Sequence, residues 1–96
     1  MRREYDIEVV INNIKITKAI IDPHYEEKHA ESIDDKIILS LIEKLNGESF
    51  EPEDKKGQYT YYVANKIELN EKFYKLIWLL EENEIYIGVI NAYRRS

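Results

Sequence analysis

The chain has 96 residues, a net charge of −5, 44% hydrophobic and 34% charged residues, and no cysteine. That is the composition of one ordered domain, residues 1–96, with a modest core, and it excludes disulfides and thiolate metal sites. No apolar run approaches the ~20 residues of a membrane helix, and MRREYDIE lacks the apolar centre of a signal peptide, so a cytoplasmic location with no membrane partner is expected.

Residues 4–21 (EYDIEVVINNIKITKAII) are dominated by β-branched side chains. They read as a hairpin turning at Asn12–Asn13, since Asn tolerates positive φ, or as one long strand with a bulge. Asp22–Pro23 is an N-cap followed by a first-turn proline, and predicts a short helix over Pro23–Ala30. Ser32 and Asp35 resemble a capping box in front of a longer helix. Ile33, Ile37, Ile38, Leu41, Ile42 and Leu45 form its apolar stripe, and Asn46–Gly47 ends it. Glu48–Gln58 reads as a polar loop and Tyr59–Val63 as a strand, and Asn65–Asn70 is a second short strand or a turn. Phe73–Leu80 and Ile85–Tyr93 follow as two strands around a turn at Glu81–Asn83. The last carries apolar residues on both faces, as a mid-sheet strand does.

The order β-β-α-β-β-β predicts an α+β, two-layer sandwich. An antiparallel sheet of about five strands would carry one main amphipathic helix on one face. The other face would be richer in tyrosine, of which the chain has eight.

Two constellations carry candidate chemistry. His24, Lys28 and His29 lie within six residues. On a helix His24 and Lys28 share a face and His29 points roughly 140° away from His24, so the histidines would not chelate one metal. Two imidazoles and an ammonium supply a base, an acid and a phosphate clamp near neutral pH. The alternative is a solvated connecting helix. Asn91, Tyr93, Arg94 and Arg95 form a polar tip at the end of the last strand. Guanidinium groups grip phosphate and can offset charge in a phosphoryl transition state, and a tyrosine ring can stack on a base. The alternative here is an exposed, solubilising segment. Tyr59 and Tyr61 alternate with Tyr62 and so share a face that Tyr62 does not, and Tyr61 is a candidate stacking ring. No glycine-rich phosphate loop, Ser-His-Asp arrangement or carboxylate cluster is present, and no metal or cofactor is implied.

The segment YKLIWLLEENEIYIGVINAYRR resembles the closing strands of toxins of bacterial toxin–antitoxin modules, the RelE/ParE-like and BrnT-like groups of the barnase-like ribonuclease fold. The resemblance covers about the last forty residues and, more loosely, the helix. It implies a metal-independent endoribonuclease in which a ribose 2′-OH attacks its own phosphate. Tyr61, Tyr93 and Arg94 fall on its matching strand positions; taken with the two constellations above, His24 or His29 would be base and acid, Lys28 and Arg94 would stabilise phosphoryl oxygens, and Tyr61, Asn91, Tyr93 and Arg95 would bind RNA. The chain departs from those toxins in being acidic and in opening on a hairpin with one long helix. The acidic balance also suits a non-catalytic module that captures a basic toxin, in the manner of an immunity protein or antitoxin. A third reading is a structural domain whose tyrosine-rich face or terminal strand pairs two copies as a homodimer.

Overall fold

The computed structural model describes residues 1–95. Arg3–Ile11 (β1) and Ile14–Ile21 (β2) form the first hairpin. Asn12 and Asn13 turn it with φ of 54° and 63°, the left-handed pair a two-residue hairpin loop needs. Of the two readings of this stretch the hairpin holds, and β1 also bulges between Asp6 and Val9.

Asp22 accepts a 2.9 Å hydrogen bond from the His24 amide, and Pro23 opens a 3-10 turn, Pro23–Tyr25, that leads into α1, Glu26–His29. α2 spans Asp35–Lys44. Asp34, not Ser32, caps it, accepting from the Ile37 amide at 2.8 Å. Ser32 is spent differently: its amide and that of Ile33 both donate to the His29 carbonyl and close the end of α1. Gly47, at φ +83°, ends the helix and ties it to β1 through a 2.7 Å bond from its amide to the Val10 carbonyl. The remaining strands are β3 (Asp54–Lys56), β4 (Tyr59–Leu69), β5 (Lys72–Glu81) and β6 (Tyr86–Arg94). Asn65–Asn70 is therefore not a separate strand. Residues 65–69 continue β4 through a bulge between Ala64 and Ile67, and the hairpin turns at Asn70 and Glu71, φ 52° and 66°.

The expected two-layer α+β sandwich is not what forms. The six strands make one sheet in the order β1-β2-β6-β5-β4-β3. The sheet is mixed, because β2 and β6 run parallel, pairing Lys18–Ile21 with Tyr86–Val89. The two helices have only 4 and 10 residues, so the molecule is mostly β and has no helical layer to match the sheet. The reasons are local. Residues 54–56 add a strand by backbone pairing alone, all three being exposed, and the stretch before α2 is held in turns.

Strand alternation divides the sheet into a covered and an open face. On β5, Tyr74, Leu76, Trp78 and Leu80 are buried, whereas Phe73, Lys75, Ile77, Leu79 and Glu81 are half-buried. Ile38, Leu41 and Ile42 of α2 share the core with the first set. Trp78 has no exposed surface. It stacks on Tyr62 (centroids 5.5 Å apart, 14° between planes) and meets Phe50 edge-on at 5.0 Å. Its indole nitrogen has no hydrogen-bond partner among the described residues, so packing alone holds the ring. β6 is indeed central, but it is buried on one face only: Ile87, Val89 and Ala92 are covered, and Tyr86, Gly88 and Ile90 are not. No helix among the described residues is long and apolar enough to cross a membrane.

Candidate functional site

The open face has two chemically different ends, set by the direction of its central strands. At one end lie the start of β5 and the end of β6. Register pairs Lys75 with Tyr93 and Ile77 with Asn91, so Tyr93 and Asn91 stand on the open face. The chain leaving β2 continues alongside β6, with the Asp22 amide bonded to the Val89 carbonyl, and this carries the 3-10 turn and α1 up to the end of β6. There the His29 imidazole stacks on Tyr93, centroids 5.1 Å apart and planes 26° apart. Lys75 Nζ sits 5.6 Å from the centroid of the same tyrosine, and Lys66 Nζ lies 4.6 Å over Phe73. Arg95 bonds back across the sheet, from its amide to the Phe73 carbonyl and from Nη1 to the Asn65 carbonyl at 2.9 Å. The result is a surface of rings and cations, tempered by Glu68 opposite Phe73.

Of the site residues expected from sequence, the structure thus brings together His29, Asn91, Tyr93 and Arg95 at one end of the open face. Arg94 pairs with Tyr74 and so has the parity of the covered face, although it is exposed at the strand end. His24 is exposed and bonds Glu27 through Nδ1 at 3.2 Å, and Lys28 is exposed on α1. Tyr61 belongs to the other end, paired with Leu79, with Lys56 Nζ 6.0 Å from its centroid. Sequence reasoning missed Lys75 and Lys66. A signal was there, since each sits near an aromatic in a strand of alternating pattern, but neither belonged to a cluster.

Also missed was a polar node that fixes α1 in place. Asp35 accepts from Arg3 Nε at 2.5 Å and Nη2 at 2.9 Å, from the Tyr5 hydroxyl at 2.5 Å and from the Tyr25 hydroxyl at 2.7 Å. Arg3 also reaches Glu26 at 3.0 Å, so β1 and the 3-10 turn meet α2 on the Asp35 carboxylate and Arg3 ties α1 to them. The Arg3 guanidinium above all, helped by the two hydroxyls, holds the Asp35 carboxyl down at about 2 against the desolvation that opposes it. Tyr5 is pushed up chiefly by its bond to Asp35, and Tyr25 chiefly by burial. A carboxyl so far below neutral pH is permanently ionised and cannot deliver a proton, so this node positions rather than reacts. Among the described residues no group of three or more His, Asp or Glu side chains is arranged to hold a metal ion.

The class so defined is a small, mostly β domain with an open sheet face that carries aromatic rings and lysines at one end. No family model, no curated protein and no solved structure matches the chain.

Proposed function

We propose that the protein is a small metal-independent endoribonuclease that works at the His29–Tyr93 end of the open face. One observation carries the reading: two motifs singled out separately, one near residue 29 and one near residue 93, touch through stacked rings 5.1 Å apart. Rings and cations side by side on an open sheet suit single-stranded RNA, whose bases stack on aromatics while lysine and arginine meet the phosphates. In the reaction the ribose 2′-oxygen loses its proton to His29 and bonds to the adjacent phosphorus. The bond to the 5′-oxygen breaks, and that oxygen takes a proton from water, leaving a 2′,3′-cyclic phosphate and a 5′-hydroxyl. Lys75, Arg95, Arg94 from the strand end and Lys28 from α1 offset the charge that builds on the phosphoryl oxygens.

The test is cleavage of an end-labelled single-stranded RNA in the presence of a chelator, with the product ends identified. Wild type is expected to cut and leave cyclic phosphate. His29→Ala is expected to lose roughly a hundred- to ten-thousand-fold in rate, the usual contribution of a positioned acid or base, with its unfolding midpoint unchanged. Intact RNA with wild type, or equal cutting by the variant, sinks the proposal.

The acidic binding module is a second reading, supported by the net charge of −5 and by the tyrosines at the far end of the same face. Edge-to-edge pairing of two copies has less support. β1 presents Glu4, Asp6 and Glu8 with a bulge, and β4, where β3 leaves it uncovered, presents Lys66 in a bulge. Both are devices that keep sheet edges apart.

A further inference from the structure

The opposite end of the open face holds a groove of about 350 Å³. Its walls include Tyr59, Tyr61, Tyr86 and Leu79, and its floor is Gly88. A Cβ at this position would lie 3.0 Å from Leu79 Cδ1 and 3.4 Å from Tyr86 Cε2, so those side chains would have to give by a few tenths of an ångström. These two side chains close over the backbone and leave the room between the tyrosines open. The volume falls in the range of small-molecule sites, about 300–1,000 Å³.

The charged residues that line the groove are Arg2 and Asp22, and Glu81 stands beside it at the Tyr86 hydroxyl. The cations near it are each matched by a carboxylate: Arg2 with Asp22 at 3.9 Å, Lys18 with Glu4 at 3.4 Å, Lys56 with Asp54 at 4.0 Å. Glu81, at the end of β5, is matched by no ion pair among the described residues, whereas Glu82 and Glu84, in the turn to β6, line a neighbouring cavity with Lys55. The Tyr86 hydroxyl donates to Glu81 Oε1 at 2.6 Å, which makes its ring more electron-rich. Burial first, then the bond to Glu81, push that hydroxyl's pKa up. Lys56, over Tyr61, already shows a cation settling on one of these rings.

We propose that this groove binds a small organic cation, an alkylammonium head seated over the tyrosine faces and balanced by Glu81. An anion is repelled by that carboxylate, and a neutral apolar molecule leaves it uncompensated. Attraction of an ammonium to an aromatic face is the physical basis. The site lies at the far end of the face from His29 and is independent of the ribonuclease reading.

The probe is choline, with 3,3-dimethylbutan-1-ol as its neutral isostere, titrated into the whole protein while the ring-proton signals of Tyr59, Tyr61 and Tyr86 are followed by NMR. Choline is expected to move these signals saturably, and the isostere to bind at least about tenfold more weakly, the charge being most of a desolvated cation–ring attraction. Glu81→Gln and Tyr61→Leu are each expected to weaken choline binding several-fold, while His29→Ala leaves it unchanged. Trp78 fluorescence verifies that each variant is folded. Equal binding of choline and the isostere overturns the proposal by making the groove merely apolar, and no saturable shift overturns it outright. Loss of RNA cleavage in a variant that still binds choline would concern the other site alone.

Discussion

The two faces of the sheet are written in the same strands, and one residue's shift in position changes what a side chain is for. Trp78 and Leu79 are neighbours on β5. Trp78 is fully buried between Tyr62 and Phe50, and Leu79 is half-buried against Gly88 at the edge of a groove. The covered face is almost wholly apolar and spends its residues on cohesion. The open face interleaves rings with charge and leaves them within reach of solvent. The difference teaches that stability and recognition can be mutated separately here, because strand alternation has already separated them.

The largest test of that separation is Trp78→Ala beside Leu79→Ala. Emptying the site of a buried indole is expected to cost about 3–5 kcal/mol, and trimming a half-exposed leucine less than about 1 kcal/mol, both from denaturant midpoints. Equal losses would mean that the open face is not open in solution.

Next comes the node on Asp35, at the rim of the covered side. Its folded pKa of about 2 lies below the ordinary carboxyl value of 3.8. The folded state therefore binds this proton less readily than the unfolded chain, so the stabilisation is complete above about pH 4 and is lost as pH falls towards 2. With the side chain 14% exposed, a contribution of roughly 1–2 kcal/mol is expected. Asp35→Asn should flatten the acid limb of stability between pH 4 and 2, and an unchanged limb would assign acid sensitivity elsewhere. The variant should also loosen α1 and so reduce any RNA cleavage without touching choline binding, which sharpens the contrast between the two ends of the open face.

The smallest effect belongs to a turn. Glu71 holds φ +66°, where a side chain is strained, so Glu71→Gly is expected to raise stability by about 0.5–1 kcal/mol. A loss instead would show that the Glu71 side chain makes contacts that outweigh its backbone strain.

How much of this was legible in the chain depends on the range of the interaction. Asn12–Asn13, Asp22–Pro23 and the Tyr59/Tyr61 alternation are local, and each stands as read; the apolar stripe of α2 does so from Ile37 on, while Ile33 is buried but lies ahead of the helix. The strand at Asp54–Lys56 has no apolar pattern to betray it. The turn at Asn70–Glu71 uses a glutamate where no turn rule looks for one. The parallel pairing of β2 with β6 has no local signature, since Ile20 and Ile21 would look the same beside any strand. Reading a two-layer α+β sandwich followed from those omissions. The candidate site suffered in the same way. His29 and Tyr93 were each visible, but their contact depends on that unseen parallel pairing, and the Asp35 node joins residues up to 32 positions apart.

The parallel seam has a further consequence, for the order in which the molecule can be assembled. β6 is the strand that joins the first hairpin to β5, and it is made after all five others. Until it emerges from the ribosome, β2 and β5 each present an unpaired edge, and the core residues of two half-sheets have no common layer. Folding then has to bring together segments about seventy positions apart, the kind of closure that slows folding and leaves intermediates prone to associate. A chain stalled before β6 would be two sticky ribbons awaiting a centre.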